Sequence, residues 1–179
     1  MTSTLNRRDF LKQSSLLAAG MAALTATPFI RASASPNDKV RVGIIGCNGR
    51  GMDHIAGYLA VANVEIAYVC DVDTRARAKG VAAAAKKQST KPQGVQDLRR
   101  VLEDASVDAI SIATPDHWHA PATIMACAAG KHVYVEKPGS HNLRESQWIV
   151  AAARKHRRVV QMGNQRRSWP WVIEAIQAL

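Results

Sequence analysis

Short apolar runs alternate with segments of helical periodicity along most of this chain. The apolar runs are KVRVGIIG (39–46), VEIAYVC (64–70), VDAISIAT (107–114), KHVYVE (131–136) and RVVQMG (158–163). After the first run, Met52, Ile55 and Leu59 recur at the spacing of one helix face. Strands that alternate with helices form right-handed β-α-β units on a parallel sheet. The sequence therefore predicts a doubly wound α/β fold.

The predicted helices carry recognisable start and stop signals. They cover TRARAKGVAAAAKK (74–87), DLRRVLEDA (97–105), APATIMACAAG (120–130), NLRESQWIVAAARKH (142–156) and WPWVIEAIQAL (169–179). Thr74 is the predicted N-cap of the first of these, and Asn142 with Glu145 has the spacing of a capping box. STKPQG (89–94) is interpreted as a loop.

Residues 1–34 have the pattern of a targeting segment. Arg7, Arg8 and Lys12 are followed by an uncharged run and then by the small residues ASA (32–34). The run is rich in Ala, Thr and Gly and contains Pro28, so we expect no stable membrane span. NRRDFLK resembles the twin-arginine export signal. We expect a signal peptide over 1–34 and a periplasmic or secreted domain over 35–179; the alternative is an ordinary basic leader or an uncleaved anchor.

The positive charge of the chain does not indicate a nucleic-acid partner. Residues 1–34 hold four Lys/Arg and one Asp, so the formal charge of +10 falls to +7 without them. The densest basic run, RKHRR (154–158), ends a predicted helix, where cations complement the helix dipole. An exported protein also seldom meets nucleic acid, and we expect none as a partner.

Neither the cysteines nor the histidines have the spacing of a metal site. Cys47, Cys70 and Cys127 lie in apolar stretches and form no C-x-x-C pair, so we expect buried free thiols. His117 and His119 form a pair without a third or fourth ligand at suitable spacing. We predict no metal ion and no disulfide framework.

VGIIGCNGRG follows the first predicted strand and opens a helix. Gly46 and Gly51 occupy the first and third positions of the G-x-G-x-x-G dinucleotide fingerprint, and Asn48 occupies the second. Asn tolerates the left-handed region, its amide can donate to phosphate, and Gly49 adds local freedom. We predict that this loop, with Arg50, binds a dinucleotide. The alternative is a plain strand-to-helix turn.

An acidic residue closes the second strand. Asp71 lies 25 residues after Gly46, near the spacing expected for the acid that accepts the ribose hydroxyls. Its carboxylate should repel a 2′-phosphate, so we predict NAD, with NADP possible because Arg75 and Arg77 are close. Asp71 could alternatively be a surface acid or the cap of the next helix. Asp73 could also be that cap.

Two further motifs carry a family resemblance. ATPDHWHA (113–120) and GKHVYVEKP (130–138), with VGIIGCNGRG, CDVD and GNQRR, resemble the N-terminal half of the Gfo/Idh/MocA oxidoreductases. The resemblance covers about residues 38–179. It implies a Rossmann-type sheet in an NAD(P)-dependent enzyme that acts on a sugar, cyclitol or related polyol.

The resemblance also implies roles for residues at the ends of the strands. Thr114 and Pro115 would line the cleft beside the ribose and nicotinamide, and His119 would close that turn. Asn164, and beside it Arg167, would face the substrate side. All of these positions follow carboxyl ends of predicted strands, where open α/β sheets bind ligands.

The EKP motif supplies the predicted catalytic group. By resemblance, Glu136 and Lys137 would contact the nicotinamide ring and the substrate. The resemblance also implies a cis peptide bond between Lys137 and Pro138, which would fix this turn. A cation beside the reacting hydroxyl stabilises the alkoxide that develops as hydride leaves. Taken without the family, a lysine before a proline is usually a solvated loop residue.

Family members continue into a second α/β domain that supplies an Asp and a His, the His acting as general base. This chain reaches Leu179 inside a predicted helix without a stop signal, so we expect a truncation. We also expect the 179-residue polypeptide to bind NAD weakly and to turn nothing over.

Three functions remain open from the sequence. The first is the cofactor half of an exported NAD(P)-dependent dehydrogenase. The second is an NAD-dependent glycoside hydrolase of the same superfamily, whose counterpart of EKP tends to lack the lysine. The third is an inactive NAD-binding fragment of a truncated gene. Lys137 favours the dehydrogenase.

Overall fold

The computed structural model describes residues 39–179, so the predicted signal peptide lies outside the described residues. The strands are β1 (Val40–Ile45), β2 (Val64–Cys70), β3 (Gln93–Val95), β4 (Ala109–Ile112), β5 (His132–Val135) and β6 (Val160–Met162). The helices are α1 (Arg50–Tyr58), α2 (Thr74–Ala85), α3 (Leu98–Glu103), α4 (His119–Ala128), α5 (Leu143–His156) and α6 (Pro170–Gln177). Single 3₁₀ turns cover Asp116–Trp118 and Gln165–Ser168.

The six strands form one parallel sheet in the order β3-β2-β1-β4-β5-β6. The doubly wound α/β prediction is therefore confirmed. The strand order reverses at β1, which lies between β2 and β4. The connections that leave β1 and β4 consequently diverge, and a crevice opens at the carboxyl ends of these two strands.

Buried apolar residues form two clusters. One cluster contains Ile55 of α1 and residues of α2 packed on β1 and β2. The other contains residues of α3, α4 and α5 packed on β1, β2, β4 and β5. Ile44, Ile66 and Ile110 have no exposed surface, as expected for the central strands of a parallel sheet covered by helices. The sheet is thus a rigid base for the loops at its carboxyl edge.

The N-cap of α2 differs from the prediction. It is Asp73, whose Oδ1 accepts hydrogen bonds from the backbone N–H groups of Arg75 and Ala76 at 2.7 and 3.4 Å. Thr74 is the first helical residue instead. A carboxylate reaches the first-turn donors and also complements the positive end of the helix dipole, so it is the better cap here.

Two other local predictions need adjustment. Asn142 does cap α5, accepting from Glu145 N at 3.0 Å, but the Glu145 carboxylate bonds to His141 N at 2.8 Å. In the expected capping box the Glu145 side chain would accept from the N–H of Asn142; here it accepts from the N–H of the preceding residue, His141. The loop interpretation of 89–94 is wrong for its last two residues, Gln93 and Gly94, which belong to β3 and pair with the end of β2.

The predicted state of the cysteines is confirmed. Cys47, Cys70 and Cys127 are buried and free. Within residues 39–179, no group of three or more His, Cys, Asp or Glu side chains is arranged to hold a metal ion. None of the helices in this range has the length and apolar character needed to cross a membrane.

Candidate functional site

A cavity of about 1080 Å³ lies at the carboxyl ends of β1, β2 and β4. Half of the predicted site residues line it: Gly46, Asn48, Arg50, Asp71, Thr114 and Pro115. The others, which are Gly49, Gly51, His119, Glu136, Lys137 and Asn164, lie in the same loops, at the start of α1 or farther along the same sheet edge. The cavity therefore follows the crevice that the sheet order creates.

Gly46 and Gly51 bring the first strand, the first helix and the loop after β4 into close contact. Gly46 has a φ of 80°, and a Cβ on it would lie 2.8 Å from Ala113 O and Thr114 N. A Cβ on Gly51 would lie 1.9 Å from the carbonyl oxygen of Gly46. These are the sharp turn and the tight helix–strand packing that the fingerprint requires of its first and third glycines.

Positive φ angles in this loop occur at Gly46 and Gly49 and not at Asn48. Gly49 has a φ of 57° and forms the N-cap of α1, whereas Asn48 has no positive φ. The left-handed tolerance of Asn is therefore not used. Gly49 combines its positive φ with a ψ of −115°, which is a conformation suited to glycine. In the described chain no side chain caps α1, and nothing lies within 4 Å of a Cβ placed on Gly49. The N–H groups at the N-terminus of α1 can thus donate to a phosphate.

Asp71 is held firmly in the wall of the cavity. Its Oδ2 accepts the N–H of Cys47, and its Oδ1 accepts the N–H of Asp73, both at 2.9 Å. The guanidinium of Arg77 binds the backbone carbonyl of Asp71 at 2.6 Å instead of the carboxylate. Oδ1, which accepts from one donor only in the described chain, retains acceptor capacity for a ligand hydroxyl.

The thiol beside Asp71 stays protonated. Burial, and next the charge of the Asp71 carboxylate, raise the pKa of Cys47 to about 12. Its Sγ lies 3.5 Å from Asp71 Oδ2 and donates weakly to it. Cys47 therefore supports the carboxylate and is not a reactive thiolate.

The loop after β4 presents a hydroxyl without a partner. Thr114 Oγ1 is buried and forms no hydrogen bond in the described chain. Leaving a buried hydroxyl unpaired is costly, so a polar ligand group in the cavity would relieve it. Together with the uncapped N-terminus of α1 and the fixed carboxylate of Asp71, this donor set fits a dinucleotide. Val72, Leu98 and Trp118 offer apolar surface in the same cavity.

His119 joins two loops and does not line the cavity. Its ring is 2% exposed, with Nε2 2.9 Å from the carbonyl oxygen of Thr114 and Nδ1 in contact with that of Pro138. One side chain therefore ties the loop after β4 to the loop after β5. The bond between Lys137 and Pro138 is cis, as predicted.

Glu136 lies in a buried polar network. Its Oε1 accepts from Arg50 Nε and from His54 Nε2, each at 3.0 Å, and His54 Nδ1 lies 2.9 Å from Ser111 Oγ. Burial opposes ionisation, but the hydrogen bonds from His54 and Arg50 outweigh it, so the pKa of Glu136 lies below its ordinary value. Glu136 is thus held as a carboxylate.

The sequence interpretation missed His54 and Ser111. A signal for each was present: His54 follows Arg50 by four residues and so shares its helix face, and Ser111 interrupts an apolar strand. Neither signal names a partner, because the contacts depend on how α1, β4 and β5 pack together.

Lys137 and Asn164 lie farther along the carboxyl edge. Lys137 is exposed, and its ammonium forms no ion pair or hydrogen bond with any residue in 39–179. Asn164 is exposed and precedes the 3₁₀ turn after β6, which includes Arg167. The structure thus brings Glu136 into contact with Arg50, and Lys137 follows Glu136 in the chain, whereas Asn164 lies beyond them after the edge strand.

Comparison with known proteins gives consistent matches. Residues 40–164 match the family model described as "Oxidoreductase family, NAD-binding Rossmann fold". A glycosyl hydrolase family 109 protein of Shewanella pealeana is 33% identical over 172 residues, which cover 84% of this chain and 37% of that protein. The alpha-N-acetylgalactosaminidase of Shewanella oneidensis is 30% identical over 173 residues, with the same shares covered.

A solved structure of similar fold is the UDP-N-acetylglucosamine 3-dehydrogenase GnnA from Acidithiobacillus ferrooxidans. It matches with a TM-score of 0.67 and 27% identity over 78% of this chain and 43% of that chain. The chain spans 37% of the length of the two curated relatives. On the match to the family model, the chain belongs to the Gfo/Idh/MocA oxidoreductase family and carries its NAD-binding Rossmann fold.

Proposed function

We propose that this chain is the cofactor-binding half of an exported NAD-dependent oxidoreductase that removes hydride from a sugar, a cyclitol or a related polyol. The observation that carries the proposal is the ammonium group of Lys137. It lies at the carboxyl edge of the sheet, directly after the network-bound Glu136, and no carboxylate in residues 39–179 neutralises it. A free cation at this point is suited to a developing negative charge on a substrate oxygen.

Named groups of the chain suit the phosphates, the adenosine ribose and the adenine of the cofactor. The phosphates would lie at the N-terminus of α1 beside Arg50, and the adenosine ribose would bind the Asp71 carboxylate. The apolar surface of Leu98 and Trp118 suits the base. When bound, NAD supplies the acceptor for the hydride.

The chemistry assigned to the chain is charge stabilisation. As a carbon–hydrogen bond of the substrate gives up its hydride, the hydroxyl on that carbon becomes a carbonyl and loses its proton. The ammonium of Lys137 lowers the energy of the partly formed alkoxide. The family resemblance assigns the acceptor of the proton to a histidine of the second domain.

The test is an assay of the product of the complete gene. We expect nicotinamide absorbance to rise with at least one member of a panel of sugars and inositols when NAD is present. Reactions without NAD, or without the sugar, are the controls. A product that binds NAD but reduces none of it with any member of the panel contradicts the dehydrogenase proposal.

Glycoside hydrolysis is the second candidate, because the curated relatives include glycosyl hydrolase family 109 proteins and an alpha-N-acetylgalactosaminidase. The discriminating substrate is the nitrophenyl α-glycoside of N-acetylgalactosamine. Release of nitrophenol with no net gain of reduced cofactor supports the hydrolase. Lys137 is the residue that weighs against it, since the counterpart of EKP in such enzymes tends to lack the lysine.

Asp71→Ala is expected to weaken NAD binding by about 1–3 kcal/mol, because a charged acceptor for the ribose hydroxyls is lost. Binding of NADP should fall less, since the repulsion of its 2′-phosphate is removed as well. Isothermal titration of both cofactors measures the effect, and Glu103→Gln, an exposed carboxylate on α3, is the control. A parent protein that binds NADP as tightly as NAD contradicts the role given to Asp71.

Export is the part of the proposal that rests on residues 1–34 alone. Changing Arg7 and Arg8 together to lysine should leave folded protein in the cytoplasm, because the twin-arginine pathway reads the arginine pair. Arg31→Lys, in the same leader, should be exported normally. Cell fractionation with immunoblotting measures both variants. Equal export of the double-lysine variant and its control contradicts the twin-arginine assignment.

A further inference from the structure

Three buried side chains form a continuous polar chain from the middle of the sheet to the loop after β5. Ser111 Oγ lies 2.9 Å from His54 Nδ1, and His54 Nε2 lies 3.0 Å from Glu136 Oε1. The exposed fractions are 0% for Ser111, 7% for His54 and 5% for Glu136. The order hydroxyl, imidazole, carboxylate is that of a hydrolase triad. Ser111 has no exposed surface and lies inside β4, however, so it cannot attack a substrate.

The arrangement fixes the proton on the imidazole. Glu136 is held as a carboxylate and can only accept, so the N–H of a neutral His54 must be on Nε2. Nδ1 is then an acceptor, and the Ser111 hydroxyl donates to it. The carboxylate thereby selects the tautomer, and the hydroxyl supplies the donor that Nδ1 then needs, as the outer partners of functional histidines commonly do.

Further contacts restrict the ring and leave one oxygen of the carboxylate for a ligand. The ring of Tyr134 packs edge-on against His54, with centroids 5.4 Å apart and an interplanar angle of 81°. Arg50 and His54 both donate to Oε1 of Glu136. Oε2 accepts only a long contact of 3.3 Å from Lys137 N within the described chain. Oε2 is thus the oxygen with acceptor capacity to spare.

We propose that His54 and Ser111 are positioning residues that orient Glu136 toward the nicotinamide end of the bound cofactor. The inference rests on the proposed function, which places Glu136 and Lys137 at that end. Neither His54 nor Ser111 lines the cavity, so both act through Glu136. Arg50 is the complementary donor and does line the cavity, so it joins Glu136 to the phosphate end.

The test compares NAD with ADP-ribose, which lacks the nicotinamide, on the full chain by isothermal titration. His54→Asn keeps a group near Nδ1 but removes the donor to Glu136, and we expect it to weaken NAD binding about ten-fold and ADP-ribose binding less than about two-fold. His54→Gln restores an N–H near the position of Nε2 and should recover most of the NAD affinity. His156→Asn, at the end of α5, is the control and should change neither ligand.

A second variant tests the tautomer directly. Ser111→Ala removes the donor to Nδ1 with little change of shape. In the parent, ¹⁵N NMR of His54 should show the proton on Nε2, and a proton on Nδ1 overturns the positioning role. In Ser111→Ala the proton should stay on Nε2, because the Glu136 carboxylate can only accept. Thermal unfolding of each variant shows whether the fold is retained.

The outcomes separate this inference from the proposed function. A parent chain that binds neither ligand overturns both. A parent that binds NAD, with His54→Asn weakening NAD and ADP-ribose equally, overturns the positioning role alone, because a general loss of structure affects both ligands. Loss of NAD affinity alone, with recovery in His54→Gln, supports it.

Discussion

Gly51→Ala is expected to destabilise the domain by about 3–4 kcal/mol and to abolish NAD binding. The Cβ would lie 1.9 Å from the carbonyl oxygen of Gly46, and that atom is backbone. Relief therefore requires α1 to move away from the end of β1, not the rotation of a side chain. Because α1 carries the phosphate end of the site, the same movement displaces the cofactor. Denaturant unfolding and NAD titration measure the two effects.

Gly57→Ala is the matched control, since Gly57 lies in the same helix and nothing lies within 4 Å of its Cβ position. That variant should be stabilised by about 0.4–1 kcal/mol, because alanine loses less backbone freedom on folding. If Gly51→Ala is as stable as Gly57→Ala and binds NAD as the parent does, the packing described for the glycine loop is wrong.

Lys137→Met is expected to lower kcat of the complete gene product by about 10²–10³-fold, because the cation that stabilises the developing alkoxide is lost. Methionine keeps much of the length of the side chain and removes the charge. NAD binding should change little, since the ammonium acts on the substrate oxygen during the reaction. Steady-state rates on the best sugar of the panel, with NAD titration alongside, measure the change.

Lys155→Met, at the exposed end of α5, is the control for loss of one positive charge. It should leave kcat unchanged. If Lys137→Met retains parental kcat, the lysine is a solvated loop residue and the dehydrogenase proposal loses the observation that carries it. A selective loss in Lys137→Met supports the catalytic assignment.

Much of the fold could be predicted from the sequence because it depends on local periodicity. VEIAYVC corresponds to β2 residue for residue, and Gly130 ends α4 with a positive φ of 79°. β3 could not be predicted so easily, because QGV is short, carries little apolar signal and is a strand only through its pairing with Tyr68, Val69 and Cys70. Asp73 replaced Thr74 as the cap because two candidates were adjacent and only packing decides between them.

The candidate site likewise contains residues that the sequence predicts and contacts that it does not. Gly46, Asp71 and Thr114 follow strand ends in the sequence, and the parallel sheet brings them to one cavity. The contact of His54 with Ser111 and Glu136 joins residues that are 57 and 82 positions apart. No local pattern reports such a contact. The positive φ of Gly49, with a ψ of −115°, was equally invisible, because the sequence does not show which of the loop's glycines takes such a conformation.

The double contact of His119 sets a rule for building chimeras with relatives. The two ring nitrogens of His119 lie at the carbonyl oxygens of Thr114 and Pro138, so one buried side chain contacts both the loop after β4 and the loop after β5. A transplanted loop that shifts the carbonyl to which the ring N–H donates leaves a buried donor without its acceptor, and a shift of the other carbonyl disturbs the packing around the ring. In a chimera of this chain and a relative, residues 113–119 and 136–139 should therefore come from the same parent protein.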